Sequence, residues 1–119
     1  CGEAIPFWLY RFDFMHAAMI KAGRYPDVKP LERRISDYVT QNFYVTTSGM
    51  AWAPAIEFAL EVLGPRHVLY AMDYPYEHDA TQVVTHDELP ISPETKRMLY
   101  EDNAVRVFGL PSRASSATG

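Results

Sequence analysis

The first part of the chain is apolar at helical spacing. From Pro6 to Lys21, Phe7, Tyr10, Phe14 and the Ala17/Ala18 pair recur so that they share a side, which predicts a helix with one broad apolar face. Pro6 suits the first turn, Gly23 suits a left-handed end, and Lys21 and Arg24 lie where cations favour the helix dipole. Prolines, Asp27 and Lys29 make Tyr25 to Leu31 a surface loop, after which Ser36 is expected to cap a short helix through Gln41. Phe43-Tyr44-Val45-Thr46-Thr47 is β-branched and aromatic, bounded by Asn42 and Gly49, and reads as a strand. Pro54 to Leu63 puts Ile56, Ala59, Leu60 and Leu63 on one helical face and stops at Gly64-Pro65. His67 to Met72 is a near-continuous apolar run, the pattern of a strand covered on both sides.

Strand, helix and strand in that order form a βαβ unit, and its crossover is right-handed in about 98% of cases, so parallel pairing follows. Beyond Asp73-Tyr74-Pro75-Tyr76 a polar stretch leads to a last helix, with Ser92 as cap, Pro93 in the first turn and Glu94 at the positive end of the dipole. That helix is expected to turn Met98, Leu99, Ala104, Val105 and Phe108 inward, with a break near Asn103. The Ser/Ala/Gly-rich end from Pro111 to Gly119 reads as a disordered tail, so residues 1–110 make up the folded unit. Two parallel strands do not make a self-sufficient sheet, because parallel sheets need neighbours and cover on both faces. The expected class is therefore α/β, as an incomplete part of a larger fold. The abrupt aromatic opening on Cys-Gly-Glu is read the same way, as a cut edge.

Composition narrows the function. With 48% hydrophobic and 22% charged residues the chain has a globular balance, and 119 residues allow one domain. A net charge of −4 without a basic stripe argues against a nucleic-acid partner, and the lack of a Lys/Arg run argues against an anionic membrane surface. The single Cys1 excludes an internal disulfide and a CxxC zinc site, and fits a reducing cytoplasmic setting. No apolar run approaches the roughly 18 residues of a membrane span.

Candidate chemistry gathers at the strand ends. Asp73 directly follows an apolar strand, at the end that faces the active site in barrels and open α/β sheets. A carboxylate there can bind a divalent metal or move a proton, or simply cap the following loop through an Asx-turn; both readings stand on position alone. Glu3, in a Gly-containing turn before the first helix, is either functional or a dipole-stabilising glutamate. His16 reads as a helix residue, His67 as structural at the far end of its strand, and His78 and His86 as residues of the polar loop, with His78 the nearer to a site. Tyr74 and Tyr76 can line an aromatic pocket or pack locally. No HxH or HExxH occurs, so the chain does not carry a complete metal site, and Thr46-Thr47-Ser48 lacks a nucleophile-elbow frame.

Four segments in order carry a resemblance: Gly2-Glu3-Ala4-Ile5-Pro6-Phe7-Trp8 with Arg11; Asn42 to Gly49; Leu63-Gly64 through Val68 to Glu77; and Asn103 to Phe108. Together they resemble the aromatic-acid decarboxylases of the amidohydrolase superfamily, such as 2,3-dihydroxybenzoate and γ-resorcylate decarboxylases. The resemblance implies the C-terminal portion of a metal-dependent (β/α)8 TIM barrel. It implies that Glu3 ends a Gly-His-x-Gly-Glu motif and belongs to a His-Glu catalytic pair. Asp73 would be the eighth-strand metal ligand and proton donor, and Tyr74 and Tyr76 would contact the substrate ring. The implied cofactor is a divalent ion, zinc or manganese, with magnesium as a further choice. The implied reaction is non-oxidative decarboxylation of a hydroxybenzoate by a full-length, homo-oligomeric enzyme, the piece alone being inactive. A metal-dependent hydrolase on the same barrel and a non-catalytic truncated product are the alternatives.

Overall fold

The computed structural model describes residues 2–77 and 79–111. The expected tail from residue 112 onward and His78 lie outside the described residues.

Helix α1 runs Ala4–Ala22 and ends, as its sequence requires, at Gly23 in the left-handed conformation (φ 60). Pro6 falls in the first turn, where its missing N–H would have had no helical partner. The expected apolar face is not the one that packs. Pro6 and Leu9 are buried and Ile5 packs beside them, whereas Phe7, Tyr10 and Phe14 are 68%, 81% and 55% exposed. The reason is local: from Phe7 to Ile20 the helix is apolar nearly all round, so spacing alone does not choose a side.

Helix α2, Ile35–Asn42, starts a residue before Ser36, which is not its cap. Asp37 instead reaches back to the Arg34 amide (3.2 Å), and Asp13 of α1 accepts from Ser36 N (2.9 Å) and Ser36 Oγ (2.6 Å). A carboxylate from a neighbouring helix thus satisfies an amide that the first turn leaves open. The Arg34 guanidinium beside Asp37 lowers that carboxyl and is itself raised by it, mainly through their hydrogen bond.

The strands are shorter than expected. β1 is Val45–Thr46 and β2 is Val68–Leu69, parallel, with Val45 opposite Val68 and Thr46 opposite Leu69. Phe43 is taken by the end of α2, its amide bonding Val39 O (3.0 Å), and His67 by a 3-10 turn at Pro65–His67. On the far side Tyr70 N leaves the ladder for Leu99 O (2.9 Å). Between the strands, α3 (Ala53–Leu63) buries Ile56, Ala59, Leu60 and Leu63 against Val45 and Val68, and Gly64 (φ 85) ends it. The βαβ unit is as the sequence predicts.

The polar stretch after Asp73 contains a helix that the sequence reading passed over: α4, Ala80–Asp87, capped by Asp79 accepting from Thr81 N (2.9 Å). His86 is therefore no loop residue but a fully buried one. Ser92 caps α5 (Pro93–Arg97) through Thr95 N (3.1 Å), as expected. A wide π turn at Met98–Asp102 then leads into α6, Asn103–Phe108. That turn shifts the helical phase, so Leu99 and Asn103 are buried against β2 while Phe108, expected inward, is 68% exposed.

Candidate active site

Gly2 and Glu3 meet the end of β1 because nothing larger than glycine fits at the approach. A Cβ on Gly2 would lie 2.3 Å from the Val45 Cβ. Gly2→Ala is expected to lower stability by about 1–3 kcal/mol through overpacking, read as a shifted denaturation midpoint; an unchanged midpoint would show that this approach is not packed. Glu3 follows at the head of α1, half-buried, and with Gly2, Val45, Thr46, Thr47 and Met50 it lines a small pocket. Its Oε2 is buried and has no hydrogen-bond partner among the described residues, and no side-chain cap bond ties it to α1. A buried carboxylate oxygen without a partner is costly, so a plain capping role does not account for Glu3.

Asp73 does not directly follow β2, which ends at Leu69, but lies beyond the Tyr70–Met72 segment in the left-handed conformation (φ 63), which Asp and Asn adopt more readily than other side-chain-bearing residues. Its carbonyl accepts from Tyr76 N (2.9 Å) and Glu77 N (3.0 Å), closing the following turn. The turn is therefore closed by the main chain of Asp73 and not by the Asx-turn that was the alternative reading, and its carboxylate has no hydrogen-bond or ion-pair partner among the described residues. Its side chain is exposed among the described residues. Tyr74 and Tyr76 follow at 78% and 87% exposure, joined through a cis Tyr74-Pro75 bond.

Thr47 links the two ends. It bonds both main-chain polar groups of Ala71, in the segment between β2 and Asp73, and it lines the Glu3 pocket. The structure thus brings the Glu3 pocket and the segment leading to Asp73 to the same C-terminal end of the sheet through Thr47, which the sequence places in the first strand without a nucleophile's setting. The one sequence signal for it is alternation along β1, which turns Val45 and Thr47 inward and Thr46 outward.

None of the three described histidines joins the site. His16 Nε2 lies 3.4 Å from Lys29 O, and His67 donates from Nδ1 to Phe43 O (2.8 Å) while stacking on Tyr44. His67 is structural, as expected. His86 donates from Nδ1 to Gln82 O (2.5 Å) and packs edge-on against Tyr70, its Nε2 without a partner among the described residues. Tyr70 and Tyr100 border a separate open cleft of about 650 Å³ that also holds Asp87 and Glu101 but neither Asp73 nor Glu3. Burial, then the bond from its hydroxyl to Asp87 Oδ1 (2.8 Å), raises the Tyr100 phenol above its ordinary range.

Among the described residues no group of three or more His, Cys, Asp or Glu side chains is placed to hold a metal. The Asp73 carboxylate, exposed beyond β2 and without a partner among the described residues, has the chemistry of one hard ligand in a shared donor set. Among the described residues no helix is long and apolar enough to cross a membrane.

The amidohydrolase family pattern matches residues 11–110. A γ-resorcylate decarboxylase of Rhodococcus jostii is 33% identical over 109 residues, which are 92% of this chain and 32% of the relative. The solved 5-carboxyvanillate decarboxylase of Novosphingobium aromaticivorans, complexed with manganese and 4-hydroxy-3-methoxy-5-nitrobenzoic acid, superposes with a TM-score of 0.87 at 46% identity, covering 92% of this chain and 31% of that one. A 5-carboxyvanillate decarboxylase of Sphingomonas paucimobilis gives 0.84 at 39% identity, with 92% and 32% covered. The chain spans about a third of the length of the relatives it matches. Its βαβ unit and flanking helices are a portion of the barrel fold expected from the sequence.

Proposed function

Because this chain belongs to the amidohydrolase family, we propose that it forms part of a metal-dependent carboxy-lyase that removes CO2 without oxidation from a hydroxybenzoate-type acid. The observation that carries this reading is the setting of Asp73, a carboxylate with no partner among the described residues, just beyond the C-terminal end of a parallel strand. That is where barrel enzymes keep their catalytic groups. The degree of likeness to the two 5-carboxyvanillate decarboxylases puts that acid first among the substrates to test.

In this reading Asp73 both ligates the ion and delivers a proton to the ring carbon bearing the carboxylate. The carbon–carbon bond then breaks, its electron pair restores the aromatic ring, and CO2 leaves. A divalent ion, manganese first and zinc or magnesium after it, supplies charge stabilisation for the substrate carboxylate and its ortho oxygen. Proton transfer requires the donor within about 3 Å of the receiving atom, which favours a side chain at a strand end over one on a long loop. Glu3, with its unpartnered Oε2, is the acidic half of a His-Glu pair whose other member lies outside the described residues. Tyr74 and Tyr76 present exposed rings beside Asp73, suited to packing on a small aromatic acid. Homo-oligomerisation of the full-length enzyme belongs to the same reading, and the exposed side of α1 that carries Phe7, Tyr10 and Phe14 offers a surface for it. A cytoplasmic location completes the reading.

The test is to incubate the full-length enzyme, loaded with manganese, with 5-carboxyvanillate and the dihydroxybenzoates while following CO2. Release that stops on chelation and returns with manganese is the expected result. Lactone hydrolysis without CO2 would replace the lyase by a hydrolase on the same barrel.

A further inference from the structure

Thr47 is a buried polar residue, 5% exposed, that the reaction outlined above leaves unused. Its amide continues the ladder by donating to Leu69 O (3.0 Å). In a regular parallel pair the Ala71 amide would next donate to the Thr47 carbonyl. That carbonyl is turned away to accept from Met50 N (3.1 Å), which closes the turn through Ser48-Gly49. The side chain takes its place. Ala71 N donates to Thr47 Oγ1 (3.2 Å), and the same hydroxyl donates to Ala71 O (3.1 Å). One hydroxyl therefore satisfies both main-chain groups of Ala71, while Leu99 O holds the preceding amide of Tyr70 at 2.9 Å from another side. With β1 already turning away, this is the last tie between the strands before Met72 and the left-handed Asp73.

We propose that Thr47 is a positioning residue: its hydroxyl fixes the Ala71 peptide and so sets the direction in which the Asp73 carboxylate leaves the sheet. The inference rests on the reading of Asp73 as ligand and proton donor. It predicts that the hydroxyl, not the methyl or the bulk of Thr47, governs metal affinity and turnover.

The experiment compares Thr47→Val, Thr47→Ser, Thr47→Ala and Asp73→Asn in the full-length enzyme, titrating each with Mn²⁺ alone and measuring kcat and KM. Val and Ala are expected to weaken Mn²⁺ binding by about 10–100-fold, the range seen when a residue that orients a ligand is lost, and to lower kcat more than they raise KM. Ser, which keeps the hydroxyl, is expected to stay near wild type. If Val does not fold, the Ser–Ala pair decides, because those two differ by one oxygen. Equal Mn²⁺ affinity for Ser and Ala would overturn the proposal. Should the Thr47 variants all bind like wild type while Asp73→Asn does not, Thr47 has no such role and the Asp73 reading survives. Full Mn²⁺ affinity and activity in Asp73→Asn would overturn both.

Discussion

Asp73→Asn is expected to lower kcat of the full-length enzyme by at least about 10³-fold, combining loss of a proton-transfer group with loss of a charged ligand. Asparagine is the informative replacement because it also tolerates the left-handed backbone that Asp73 adopts at φ 63. Alanine would add backbone strain of about 1–3 kcal/mol at this position and confuse a folding defect with a chemical one. Asp73→Gly provides the second arm: it relieves the backbone and removes the carboxylate altogether, so it should be as inactive as Asn. Substrate turnover and bound manganese are measured together for both. Activity retained in either variant would take Asp73 out of the chemistry and leave it as a turn residue whose carbonyl holds Tyr76 and Glu77.

The second large effect concerns stability. Asn103 is 1% exposed and donates from Nδ2 to Pro65 O (2.7 Å) and Val68 O (2.8 Å), fastening α6 to the entry of β2. Its Oδ1 accepts from Arg106 Nη2 (3.3 Å), while Arg106 also bonds Arg66 O and the Tyr44 hydroxyl. Asn103→Leu keeps most of the volume but strips two inward-facing carbonyls of their donors, each worth about 1–3 kcal/mol, so a loss of about 2–5 kcal/mol is expected. Asn103→Asp should cost more, because it sets a carboxylate oxygen against those carbonyls. Denaturant midpoints of the full-length enzyme, with an unchanged m-value, are the measurement. A midpoint equal to wild type for Leu would mean that the carbonyls find other donors and that α6 is held by packing alone. Combining Asn103→Leu with Arg106→Leu should be less than additive, since the two side chains share one network.

Much of the frame was legible before any coordinates. Gly23 and Gly64 end their helices in backbone conformations that glycine enters without steric cost, so α1 and α3 were bounded by residue type. The βαβ order dictated parallel pairing, and the apolar run from His67 to Met72 contained the second strand and drew attention to Asp73 after it. Glu3 stood out as a candidate only through its likeness to a family motif, since nothing in local spacing separates a catalytic glutamate from one that serves a helix dipole. The helix Ala80–Asp87 was missed because its polar residues mask a start signal, Asp79, that is plain once the cap bond to Thr81 is seen.

The sequence by itself determined where α1 and α3 stop, which runs contain the strands, and which carboxylate follows β2, because caps, turns and period depend on neighbours along the chain. Only the tertiary structure decided which side of α1 is buried, since a helix apolar nearly all round offers several faces and packing selects one. It likewise decided that Asp13 caps α2, that the π turn brings Asn103 rather than Phe108 to β2, and that Thr47 spans to Ala71. Those bonds join residues far apart in sequence, and their geometry exists only after the elements have docked.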